Sequence, residues 1–126
     1  MFVKPRTVKP GDSVVDAAKL MRGEETGLAP IVEDGRLTGV VTEHDITRRV
    51  VAEGRDPQIT MVQEVASRNL VTIDPEQELE DALALMVEYG VRHLPVIEED
   101  GTLAGVVAYA DVLRHVEAER AEGVFA

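Results

Sequence analysis

The chain contains no cysteine, has only 3% aromatic residues, and carries too few basic residues to balance its acids. Each shortage excludes a class of function. Without thiols there are no disulfides, no thiolate zinc sites and no cysteine nucleophiles, so a reducing cytoplasm is the default setting. With Lys and Arg at 13 against Asp and Glu at 24, the net charge is −11. Such a surface repels a phosphate backbone, which argues against nucleic acid as a partner. The scarcity of aromatics also removes the stacking platforms on which single strands are held. No apolar run approaches the ~20 residues of a membrane span. The opening MFVKPRTVKP lacks the apolar core of a signal peptide.

What the chain does have is an internal repeat. When Met21 is set against Met86, Pro10 meets Pro75, Asp16 meets Asp81, Ala17 meets Ala82, Leu20 meets Leu85 and Pro30 meets Pro95. One extra residue at the turn before Gly101 then brings Gly35 onto Gly101, Gly39 onto Gly105, Asp45 onto Asp111 and Arg48 onto Arg114. Register kept over most of both halves marks a tandem of similar units.

Each unit reads as β-α-β-β-α. A short extended piece, Thr7-Val8 or Leu70 to Ile73, precedes an amphipathic helix starting at Ser13 or Glu78. Ser13 suits an N-cap, with Asp16 completing its box. The strands APIVE and LTGVV, or LPVIE and LAGVV, flank a turn whose glycine can supply positive φ. A closing helix begins near Glu43 or Tyr109. The boundaries are 1–55 for the first unit, 56–69 for a linker with one short helix, and 70–126 for the second. Asp56-Pro57 reads as that helix's start. The fold class is α+β. Two units too small for separate cores are expected to pack through their sheets about a pseudo-twofold axis, leaving two related clefts where small molecules bind.

GVVTEHD, Gly39 to Asp45, and GVVAYAD, Gly105 to Asp111, carry the chemistry. A helix N-terminus offers unpaired N–H groups and a partial positive charge, a natural seat for an anion. The Thr42 hydroxyl can donate to a phosphate there, and the Asp45 carboxylate can accept from the vicinal hydroxyls of a ribose. Val40, Val71, Ile73 and Val91 could hold a base. The other reading of Thr42-Glu43-His44-Asp45 is a capping box, which is helix chemistry alone. In the second copy Ala108 has no hydroxyl, yet Asp111 keeps its carboxylate.

These residues resemble a pair of CBS domains, a Bateman module. The resemblance rests on the pattern from Pro10 to Met21, on VRHLPVI from Val91 to Ile97, and on Gly39 to Asp45, and it covers nearly the whole chain. The short helix that usually precedes the first unit is missing. The resemblance implies a regulatory, non-catalytic sensor of an adenosine-containing ligand such as AMP, ADP, ATP or S-adenosylmethionine. It implies one site from Val40, Thr42 and Asp45 with Val71, Thr72, Arg92, His93 and Pro95. A weaker second site would use Thr7, Val8, Leu28 and Pro30 with Val106, Ala108 and Asp111. Lys4, Arg6 and Lys9 lie near its edge in sequence. A homodimer and a separate regulated protein are further implications. A ligand-free interaction scaffold is the alternative.

The remaining polar residues suggest no enzyme. There is no GxSxG, HExxH or P-loop. His44 reads as solvated, His93 as either a packed residue or a phosphate contact beside Arg92, and His115 as sharing a helix face with Asp111. No third ligand completes a metal site. Met21, Met61 and Met86 read as core, and the C-terminal GVFA as a docking segment or a frayed end.

Overall fold

The computed structural model describes residues 5–68 and 70–125, with side chains described through residue 120. Lys4 and Ala126, which the sequence reading touched, lie outside the described residues. The chain forms two compact α+β units. One holds Pro5–Leu70 with Gly101–Leu103; the other holds Val71–Asp100 and the chain from Ala104 onward.

In the first unit Val8 pairs in parallel with Ile31. Helix α1, Val14–Glu24, follows, capped as its sequence requires. Ser13 Oγ accepts the Asp16 N–H at 3.1 Å, and the Asp16 carboxylate accepts the Ser13 N–H at 3.2 Å. α1 buries Val14, Ala17, Leu20 and Met21, the stripe that helical spacing dictates. Strands β1, Leu28–Glu33, and β2, Arg36–Thr42, pair antiparallel from Leu28 opposite Thr42 to Glu33 opposite Arg36. Only Asp34 and Gly35 remain for the loop. Both have positive φ, 53° and 79°, the backbone of a type I′ turn whose twist matches the strands. Helix α2, Glu43–Ile46, runs on into a wider π-helical stretch, Thr47–Val51.

Residues 56–68 correct the sequence reading in two places. Asp56-Pro57 does not start the helix. The Asp56 carboxylate accepts the Gln58 N–H at 2.9 Å, closing a local turn instead. Helix α3 is Val62–Val65. Met61 is not core: it stands at the N-cap of α3 and is 39% exposed, because the helical spacing that seemed to bury it begins one residue later. The segment is nonetheless firmly placed. Val62 and Val65 are buried in one core with Val14, Ile31, Val41 and Val50. Ser67 then pairs with Val40 through two backbone hydrogen bonds of 2.9 and 3.1 Å. Gly39 makes this approach possible. A Cβ there would lie 3.2 Å from the Ser67 carbonyl oxygen and 3.4 Å from the Ala66 Cβ.

Glu64 holds the front of α3. Its carboxylate accepts the Met61 N–H at 2.7 Å and pairs with Arg55. The Met61 N–H first, and Arg55 second, hold this carboxyl below its usual range. A depressed folded value means that the contribution is complete above the unfolded value, about 4.3, and fades as the pH falls through the lower folded one. Glu64→Gln is therefore expected to lower Tm at pH 7, with the gap from wild type closing in acid. Melting curves recorded from pH 7 to pH 2 check this; a gap that stays constant contradicts it.

The second unit repeats the plan with helix α4, Leu79–Tyr89, strands β3, His93–Ile97, and β4, Leu103–Ala108, and helix α5, Tyr109–Phe125. Gly123–Phe125 thus belong to the backbone of α5. The repeat extends to single hydrogen bonds. Val8 N–H donates to Pro30 O and Ile73 N–H to Pro95 O; Val32 N–H donates to Val8 O and Ile97 N–H to Ile73 O. The second core gathers Ile73, Ala82, Met86, Leu94, Val96, Val107, Val112 and Val116. Among the described residues, no helix is long and apolar enough to cross a membrane.

Candidate functional site

The turn from β2 into α2 is a complete capping box. Thr42 N–H donates to Asp45 Oδ2 at 2.9 Å, and Asp45 N–H donates to Thr42 Oγ1 at 3.1 Å. The helical side of the two sequence readings is thus realised. It leaves the ligand side open, because the two use different atoms. Thr42 Oγ1 accepts one bond and retains its own proton for an external acceptor. Asp45 retains Oδ1, which faces Arg49 Nε at 3.9 Å. Asp45 is only 8% exposed, and no buried side-chain polar atom among the described residues lacks a partner. The Glu43 N–H, which an anion at this turn would seek, is already given to Gly27 O at 3.0 Å.

Within the first unit the structure brings Leu28 and Pro30 alongside Val40 and Thr42, and sets Val8, with Thr7 before it, against the other edge of β1. Leu28 pairs with Thr42 and Pro30 with Val40 in the hairpin, while Val8 N–H reaches Pro30 O at 2.9 Å. Leu28, Pro30 and Val40 are buried, and Thr7 is exposed. Within the second unit the hydrogen bond from Ile73 N–H to Pro95 O, 3.0 Å, places the chain after Val71 and Thr72 against β3. Arg92 O accepts the Tyr109 N–H at 2.8 Å, so Arg92 lies at the start of α5, beside the residue that follows Ala108. Thr72 and Arg92 are exposed, Val71, His93, Val106 and Ala108 half-buried, and Pro95 buried. The sites inferred from resemblance draw their turn from one unit and their strands from the other. What the geometry displays is each unit's own turn with its own strands.

The second turn differs as its alanine requires. Ala108 has no side-chain oxygen to accept the Asp111 N–H. Asp111 is half-buried, and its carboxylate pairs with Arg114, one turn along α5. His115 Nδ1 lies 2.9 Å from the Asp111 carbonyl oxygen, not from its carboxylate. His44 is exposed, as expected for a solvated residue. Among the described residues, no cluster of His, Asp or Glu is arranged to hold a metal. Sequence reasoning missed Arg49. Its only signal was the spacing of four from Asp45, which puts two helical side chains on one face.

A family model described as CBS domain matches residues 1–52 and again 62–118. The chain belongs to the CBS domain family, whose members are typically regulatory. It is 41% identical over 112 residues to the CBS domain-containing protein YhcV of Bacillus subtilis, covering 89% of this chain and 79% of that one. An uncharacterized protein of Methanopyrus kandleri is 32% identical over 86% of this chain, which spans only 56% of its length. Among solved structures, a putative signal-transduction protein with CBS domains from Burkholderia ambifaria superposes with a TM-score of 0.84 at 35% identity, covering 91% of this chain and 84% of that one. CBSX2 in complex with AMP gives 0.76 at 27% identity, covering 94% and 95%. Hypoxic Response Protein I with two coordinated zinc ions gives 0.78 at 34% identity, covering 87% and 89%.

Proposed function

We propose that the chain is a regulatory sensor of an adenosine-containing ligand, AMP, ADP, ATP or S-adenosylmethionine, acting without catalysis. The observation that carries this reading is the turn at Thr42–Asp45. Its hydroxyl proton is uncommitted within the box, and its Oδ1 has only a long ion pair. A hydroxyl for phosphate and a carboxylate for a ribose diol are what such a ligand requires. The AMP complex of CBSX2 supports the ligand class. Val40, Thr42 and Asp45 are the first unit's contribution, with Val71, Thr72, Arg92, His93 and Pro95 from the second. A weaker set, Thr7, Val8, Leu28, Pro30, Val106, Ala108 and Asp111, lacks the hydroxyl. A cytoplasmic homodimer acting on a separate protein completes the proposal.

A specific observation favours a second reading, an interaction scaffold that binds no ligand. Asp45 is buried and already serves Thr42 and Arg49. Thermal shift separates the two. A ligand at 100 times its Kd adds ~2.7 kcal/mol, several degrees for a chain of this size. No shift from millimolar AMP, ADP, ATP or S-adenosylmethionine selects the scaffold.

The capping boxes at Ser13 and Thr42 supply an internal control. Ser13→Ala and Thr42→Ala should each cost about 0.5–2 kcal/mol of stability. Titration calorimetry with the nucleotide that gives the largest thermal shift should then show Thr42→Ala binding about tenfold more weakly, and Ser13→Ala binding as wild type. Equal affinities in both variants would confine Thr42 to helix capping.

A further inference from the structure

Arg49 links the proposed ligand turn to the segment that leads out of the first unit. It lies on the π-helical stretch after α2, four residues beyond Asp45. Its Nε faces Asp45 Oδ1 at 3.9 Å. Its Nη1 donates to Val65 O at 3.2 Å and to Ala66 O at 3.3 Å. Those are the last carbonyl of α3 and the one at its C-cap, groups a short helix leaves without internal partners. A cationic side chain there also opposes the negative end of the helix. Just beyond, Ser67 is sewn to Val40 on β2, and Gly39 makes room for it. Asp45, Arg49, the end of α3 and the strand that carries the turn therefore form one closed circuit within a single unit.

We propose that Arg49 is a positioning residue that couples the state of Asp45 to the docking of residues 65–68. The guanidinium is planar, so fixing Nε fixes the direction of Nη1. When a donor on a ligand pins the Asp45 carboxylate, Oδ1 holds the guanidinium plane, and Nη1 stays on the two carbonyls. Docking of 65–68 in turn holds Arg49 toward Asp45 and prepares the carboxylate. Linkage makes the two effects equal. Lysine keeps the charge but has a single ammonium in place of the fork, so it cannot serve Asp45 and both carbonyls together. The ligand half of this coupling rests on the nucleotide reading above; the link from Asp45 to 65–68 does not.

Hydrogen exchange read at the amides of 65–68 tests both halves. In ligand-free protein, Arg49→Lys and Asp45→Asn should each speed exchange there severalfold, up to about tenfold, with no further gain in the double variant. With AMP as the probe, exchange at 65–68 should slow in wild type and remain unchanged in Arg49→Lys, which should bind AMP severalfold more weakly. Additive effects of the two variants, or exchange at 65–68 that ignores both, overturn the proposal whatever AMP does. If wild type binds no AMP while the ligand-free effects hold, AMP drops out of the ligand reading and the link from Asp45 to the segment stands. AMP binding that leaves 65–68 untouched refutes the coupling and spares the nucleotide reading.

Discussion

Asp45→Ala should abolish most nucleotide affinity and cost stability at the same time. On the proposed reading the ribose loses a charged acceptor, and bonds to charged groups contribute about 1.5–3 kcal/mol, roughly a 10- to 100-fold loss in affinity. The half-buried Thr42 N–H, now 2.9 Å from Oδ2, also loses its partner. Leaving such a donor unsatisfied costs about 1–3 kcal/mol, so Tm should fall by several degrees for a chain of this length. Asp45→Asn separates the two roles. Its amide oxygen can still accept the Thr42 N–H, so most of the stability should remain, while the negative charge offered to the diol is gone. Calorimetric titration beside thermal melts reads both quantities. Full affinity in Asp45→Asn would show that the carboxylate charge does not serve the ligand.

Leu94→Ala carries the largest expected effect on stability. Leu94 is fully buried on β3, within the core built by Ile73, Ala82, Met86, Val96, Val107, Val112 and Val116. Removing a buried leucine's outer carbons forfeits their transfer energy and opens a cavity, in total about 2–5 kcal/mol. The loss should sit toward the upper part of that range, because the neighbours are mostly β-branched and cannot swing to fill the space. Val87→Ala, at a site 71% exposed on α4, should change stability by no more than about 0.5 kcal/mol. Urea denaturation distinguishes them; equal midpoints would mean that β3 does not anchor its core.

Much of this was legible in the residues. The tandem repeat, the order of elements and the α+β class followed from periodic apolar residues and turn chemistry, and the backbone honours both. The glycine of the EDG turn announced a positive φ, and Ser13 with Asp16 announced a helix start. The segment after residue 55 resisted reading for a physical reason. Its buried residues, Val62 and Val65, make one apolar pair on a helix of a single turn, too short to display a period. Met61 beside them looked the same by spacing, but position at a cap governs its exposure. The turn at Thr42 was ambiguous because capping and ligand binding demand the same residue types. Only atom-by-atom geometry could show which lone pairs the box consumes. Arg49 carried almost no signal, since its partners are backbone carbonyls that any sequence provides.

The way β2 receives the segment after α3 bears on dissecting the chain. Cutting at residue 55, where the repeat seems to close, would strip Val62 and Val65 from their neighbours and bare the flank of β2 beside Gly39. A fragment meant to isolate the first half must run through residue 68 to keep its own interior covered; a shorter one would present a fresh sticky edge.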